Sequence, residues 1–217
     1  MGQGRLERLA PLTGVVFFVL IVVLLLTSGE TPDTDDSTRE IVQFWKENET
    51  EQMLVSAGGV ISSVFLLWFA ASLRDALWQA EGGSGRLAAL SFGGAVLAVS
   101  GMMILFGLNF AVAESADDAP ASAVHALSTL NNGLFFPFIG GFGVFMFASG
   151  LAALRTRALP AVAAWIAIVV GLVSFTPVGF FAFLVAVIWV AVVGVMLYRR
   201  SARPTAAAPV PPRSAAA

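Results

Sequence analysis

The chain has no cysteine, a single histidine, a single tyrosine and a single lysine (Lys46). Without cysteine there is no disulfide, no thiolate metal site and no thiol nucleophile. One histidine, His125, rules out a two-histidine metal site within the chain. Charge is scarce too: 12% of residues are Asp, Glu, Lys or Arg, where a soluble domain has about 25%. The net charge is −2, and no basic cluster is patterned for nucleic acid. No cofactor is expected.

What fills the chain instead is apolar: 58% of its 217 residues are hydrophobic, too many to be hidden behind a water-facing exterior. A helix crossing the roughly 30 Å hydrocarbon core needs about 20 apolar residues. The sequence predicts six such spans, at about 9–28, 53–73, 87–113, 133–154, 158–175 and 178–198. The expected fold is an all-α polytopic transmembrane helical bundle. The first span carries an unbroken apolar run from Val15 to Leu26, which by itself favours insertion by roughly 4–7 kcal/mol. A cleaved signal peptide is the competing reading of this run; its long apolar core and the lack of an Ala-x-Ala site weigh against that.

The last apolar stretch, from Ala161 to Tyr198, has no charge. As one helix it would run about 57 Å, longer than any bilayer accommodates. Thr176-Pro177-Val178-Gly179 supplies a turn that divides it, either into two spans or into a re-entrant hairpin. Residues 120–130 suit a short lead-in helix at the interface, capped by Asp117 or Asp118. Pro137 is expected to kink the fourth span.

Alternating the loops sorts the charges. Ten basic residues fall on one side; Arg39 and Lys46 share the other with eleven of the fourteen acidic residues. Basic residues near helix ends stay cytoplasmic, so both termini are expected inside. The outer loop 29–52 contains a capping-box pattern, Ser37-Thr38-Arg39-Glu40, ahead of Ile41, Phe44 and Trp45 on one helical face. A short amphipathic helix on the outer leaflet is expected there. Residues 81–85 read as a flexible Gly/Ser connector, and 201–217 as a disordered Pro/Ala-rich cytoplasmic tail.

No charged residue lies in the central part of any predicted span, which argues against proton- or ion-coupled pumping. Polar side chains gather toward the outer side: Asn109, Glu114, His125, Asn131 and Asn132 form a candidate cluster for one outward-facing pocket. They make a poor metal set, and no catalytic residue is assigned. Ser149 is a helix-packing residue rather than a nucleophile, because the motif and the histidine partner of an intramembrane serine protease are missing. Glycines recur through the spans, with Gly59–Ser63 and Gly94–Ala98 as small-xxx-small pairs.

The segments SGETPDTD, FLLWFAASLR, FASGLAALRTRALP and TPVGFFAFLVAVIWV resemble those of a group of actinobacterial multi-pass membrane proteins of unknown function, over most of residues 12–200. The resemblance implies a bacterial inner-membrane protein and carries over no functional residue. Three functions remain open. One is a non-enzymatic protein that packs with itself or a membrane partner. The second is a transporter of a small solute or lipid using the polar cluster. The third is an outer-leaflet enzyme with His125 as base.

Overall fold

The structure, a computed structural model, describes residues 7–29 and 31–201. Glu30 and nearly all of the expected tail lie outside these residues. The described residues form helices joined by short turns, with no strand among them. The helices are α1 (Thr13–Thr27), α2 (Thr38–Glu47), α3 (Glu49–Glu81), α4 (Arg86–Ser115), α5 (Ala121–Gly133), α6 (Phe135–Thr156), α7 (Ala161–Val173) and α8 (Gly179–Ser201).

Five stretches are long and apolar enough to cross a membrane: Glu7–Thr27, Glu49–Glu81, Arg86–Ser115, Ala121–Thr156 and Gly179–Ser201. The chain is thus an apolar helical bundle of the membrane type. α7 is apolar but shorter. Pro160, in extended conformation, delays its start to Ala161, and the turn after Val173 ends it early. Its 13 residues rise about 20 Å.

Several local expectations are revised. α5 is capped by Pro120 (φ −56°, ψ 138°), not by Asp117 or Asp118. The bend before α6 falls at Leu134, three residues ahead of Pro137. A proline ring clashes with the carbonyl four residues earlier, which here is Gly133, the last residue of α5. The interruption at Leu134 thus falls one turn upstream of Pro137, where a proline inside the run Ala121–Thr156 acts. The connector 81–85 is a structured turn. Gly82 and Gly85 adopt left-handed φ of 63° and 59°, and the Glu81 carboxylate accepts the amides of Leu87 (3.3 Å) and Ala88 (2.7 Å) at the start of α4.

α4 is the centre of the bundle, between α3 and α6. Its seam with α6 is set by small residues. A Cβ on Gly141 would stand 2.5 Å from the Ala98 nitrogen, and one on Gly101 would stand 2.8 Å from the Phe138 Cα. Ser91 and Ser149 bridge the same seam, their hydroxyls 2.7 Å apart. α7 lies on α6 through Gly150 and Gly171, and the Trp189 indole of α8 donates to the Ala163 carbonyl of α7 at 2.8 Å. α1 comes close to α8 where Gly14 approaches the Val190 carbonyl, and Gly194 approaches the carbonyl of Pro11 just before α1. Edge-to-face rings fill the interior: Phe138, Phe142 and Phe183 lie 5.2–5.9 Å apart, and Phe145 stands between Phe142 and Trp189. Each such pair adds about 0.5–1.5 kcal/mol beyond area burial.

The helix ends segregate by charge. One end holds Arg74, Arg86, Arg155, Arg157, Arg199 and Arg200; Arg200 donates to the Ala158 carbonyl, and Arg74 stacks on Trp78. At the other end α2, α5 and the last turns of α4 form a cap over a second, smaller core of Ile41, Trp45, Val112, Ala113, Ala116 and Val124. This differs from the expectation of α2 lying on the outer leaflet. Its apolar face is present, but Ile41 and Trp45 are covered by protein, because α5 supplies a matching apolar face.

Candidate functional site

The end of the bundle opposite the basic helix ends is where polar side chains and open space coincide. The residues that build it come from helix faces the sequence sets up locally. α3 begins at Glu49, directly after the single joint residue Asn48, so Gln52 and Ser56 are one turn apart on one face. Asn109 sits on α4 opposite them, and Asn131 comes from the last turn of α5.

These side chains form a directional chain of amides. The Gln52 Nε2 donates to the Ser28 backbone carbonyl at 3.1 Å. The Asn109 Nδ2 donates to Gln52 Oε1 at 3.2 Å and to Ser56 Oγ at 3.0 Å. The Asn131 Nδ2 donates to Asn109 Oδ1 at 3.1 Å. The direction is fixed from one end. A backbone carbonyl can only accept, so Gln52 must turn its NH2 to Ser28 and its oxygen to Asn109, and the same choice then propagates to Asn131. Gln52, Asn109 and Asn131 are 1%, 6% and 8% exposed. The last oxygen of the chain, Asn131 Oδ1, is buried with no partner among the described residues. Such an orphan costs about 1–3 kcal/mol.

Beside this chain lies a cavity of about 510 Å³, within the roughly 300–1,000 Å³ usual for ligand pockets. Gln52, Asn109, Ser128, Asn131 and Asn132 give it a polar wall; Phe135, Phe138, Phe180 and Phe183 give it an apolar one. Ile21, Leu24 and Leu25 of α1 complete it. Among the described residues no Asp, Glu, Lys, Arg or His lines it. Toward the basic end it stops on Phe138 and Phe183, below which Phe142 and Phe145 are fully buried. It is therefore a blind pocket.

Of the five residues singled out from sequence, Asn109, Asn131 and Asn132 line the cavity; Asn132 also donates to the Pro32 carbonyl at 3.3 Å. His125 and Glu114 do not line it. His125 faces α2, its Nδ1 2.7 Å from the Thr38 hydroxyl. Glu114 is exposed at the end of α4. Sequence reasoning misses Gln52, Ser56, Ser128 and Trp45. Trp45 lines the cavity and donates from its indole to Ser128 at 3.1 Å. A usable signal exists: Gln52 and Ser56 repeat at four residues, in phase with Gly59 and Ser63. Hydropathy hides it by leaving Gln52 in a loop.

Glu40, at the start of α2, carries a carboxyl of lowered pKa. The hydroxyl of Ser37, then its amide, hold this carboxyl below the ordinary value of 4.5. It belongs to the cap of α2, not to the pocket. Among the described residues no three side chains of His, Asp or Glu gather closely enough to hold a metal. Comparison of the chain with protein-family models, with curated proteins and with solved structures finds no match.

Proposed function

We propose that the protein is an integral membrane protein that admits a small apolar-tailed ligand from the outer leaflet into this pocket, as a carrier or transporter rather than an enzyme. The carrying observation is a blind cavity whose described lining carries no charge, with an amide wall and a phenylalanine wall in one half of the bundle. α1 and α8 both line the cavity, through Leu24 and Leu25 and through Phe180 and Phe183, and Leu25 and Phe180 are also exposed on the bundle surface, which supports access sideways from lipid.

The topology of this reading is six crossings with both termini cytoplasmic, in a bacterial inner membrane of the actinobacterial kind. The basic helix ends support the orientation. The hairpin α7–α8 starts and ends at the basic end; Phe175 in its turn lies beside Gly143, about two turns into α6. Whether it counts as two crossings or as a deep re-entrant hairpin, it adds an even number, and both termini keep the same side.

The glycine pattern of the sequence points to a membrane partner. Gly94, Gly101, Gly141, Gly150 and Gly171 are occupied by contacts within the chain, whereas a Cβ on Gly93 or Gly107 would meet nothing within 4 Å, so a partner helix stays a second reading. Catalysis by His125 has no support in position, since the imidazole is engaged by Thr38 away from the cavity.

The test is saturable binding of tritiated dodecan-1-ol, competed by dodecyl methyl ether and by dodecanoate, to the full chain in lipid nanodiscs. Binding of at least one probe above empty nanodiscs, abolished by Leu105→Trp on the cavity wall, is expected. No saturable binding of any of the three, or binding undiminished in Leu105→Trp, overturns the reading.

A further inference from the structure

Five helices build the floor of the pocket at one level. From the cap toward the basic end, the lining stops at Ile21 on α1, Val55 on α3, Met102 on α4, Phe138 on α6 and Phe183 on α8. One turn deeper, Phe17, Ala98, Phe142 and Val187 are closed over, at 0–3% exposure. Two of the floor residues are braced from below. The Phe142 ring stands edge-on to Phe138 at 5.9 Å and to Phe183 at 5.4 Å, and those two rings lie 5.2 Å apart. Phe138 is also held from the side, since its Cα lies 2.8 Å from where a Cβ on Gly101 would stand. Each edge-to-face contact adds about 0.5–1.5 kcal/mol, which makes the floor a fixed stop. The depth above it follows from helix rise. Met102 lies seven residues before Asn109 on α4, and Ile21 seven before Ser28 at the end of α1, about 10 Å in each case. An extended carbon chain advances about 1.2 Å per bond, so about eight carbons span the pocket. One leaflet of hydrocarbon is about 15 Å deep. The chains of the surrounding lipid are therefore longer than the pocket.

We infer that the pocket selects its ligand by chain length: it seats a hydrocarbon tail of about eight carbons, and Phe138 and Phe183 set the limit. This rests on the pocket reading above. The limit acts on the tail, whatever head the ligand carries. A carbon seated in the pocket adds dispersion contacts with the phenylalanine faces. A carbon beyond its depth stays in lipid and gains nothing. Ordinary bilayer lipid, whose chains overrun the floor, is thereby disfavoured against a shorter tail.

Straight-chain alcohols from butan-1-ol to tetradecan-1-ol, competed against tritiated dodecan-1-ol on the full chain in nanodiscs, test the limit. Each affinity is referred to the mole fraction of alcohol in the lipid, so that partitioning into the bilayer cancels. On that scale affinity is expected to rise up to about octan-1-ol and no further. Phe183→Ala takes a ring out of the floor and is expected to move the break about three carbons longer. Ile21→Phe brings a ring to the floor and is expected to move it about two carbons shorter. Lost stability alone does not shift a break in opposite directions. A rise that continues through tetradecan-1-ol overturns the inference, as does an affinity independent of length. So does a break left in place by either variant that still binds; if Phe183→Ala does not bind, Ile21→Phe decides alone. All of these results leave the pocket standing. No saturable displacement by any alcohol removes the pocket itself.

Discussion

Asn109 serves three neighbours at once: it donates to Gln52 and Ser56 and accepts from Asn131. Replacing it by leucine strands the Gln52 oxygen and the Asn131 NH2 in a buried setting. Asn109→Leu is expected to lose about 3 kcal/mol of stability, since each stranded polar group costs about 1–3 kcal/mol. Glu114 is exposed in the last turn of α4 and lies outside the network. Glu114→Ala is expected to change stability by no more than about 0.5 kcal/mol. Reversible unfolding in mixed micelles measures both. The contrast separates two residues that the sequence places in one cluster. Polar type and outer position are legible for all five members, but the face each presents is not. Asn109 and Glu114 are five residues apart on one helix, so they point to different sides. His125 lies six before Asn131 on α5, and it answers to Thr38, a partner 87 positions away that no local pattern reveals.

Elements divide into those fixed locally and those fixed by neighbours. The cap of α2 is local: Ser37 accepts the Glu40 amide, and Glu40 accepts the Ser37 amide and hydroxyl, as the four-residue pattern predicts. Ser37→Ala is expected to cost about 1 kcal/mol of cap stability. A carboxyl whose folded pKa is depressed stabilises fully above its unfolded value, and that contribution is lost as pH falls through the folded one. Glu40 is such a group, so protection of the Ser37 amide from hydrogen exchange should hold above about pH 4.5 and decay below it. The α4–α6 seam is set instead by neighbours. Two adjacent glycines make the case: a Cβ on Gly94 collides with the Phe145 backbone, whereas one on Gly93 meets nothing within 4 Å. Gly94→Ala should lower stability by about 1–3 kcal/mol. Gly93→Ala should be neutral or stabilising by up to about 1 kcal/mol, the helix-propensity gain. Thermal unfolding of the two variants side by side checks this. The sequence marks both as helix-packing glycines, because spacing alone does not say which side of α4 is covered. Helix lengths are likewise legible only within limits: polar residues such as Gln52 continue α3 beyond its apolar core, and hydropathy stops short of them.

At the scale of the whole molecule, hydropathy and charge carry most of the architecture, because a bilayer imposes both length and sign on a helix. The absence of cysteine makes the orientation directly measurable. Single-cysteine variants at Thr34, near the cap, and at Ser84, in the α3–α4 turn, can be treated with a membrane-impermeant maleimide. Thr34→Cys should label in intact cells and Ser84→Cys only after permeabilisation; the reverse pattern inverts the proposed topology. What hydropathy does not carry is the cap, whose small core joins α2, α4 and α5 across long sequence separations.

The glycine contact between α1 and α8 has a mechanical consequence. A close backbone approach at Gly14 is the point about which a tilt of α1 would turn. Leu25 stands eleven residues beyond Gly14, about 16 Å along the helix axis. A tilt of α1 by about 10° around that point would carry Leu25 about 3 Å, while Gly14 itself would hardly move. The width of the doorway and the anchoring of α1 are thereby set by different residues.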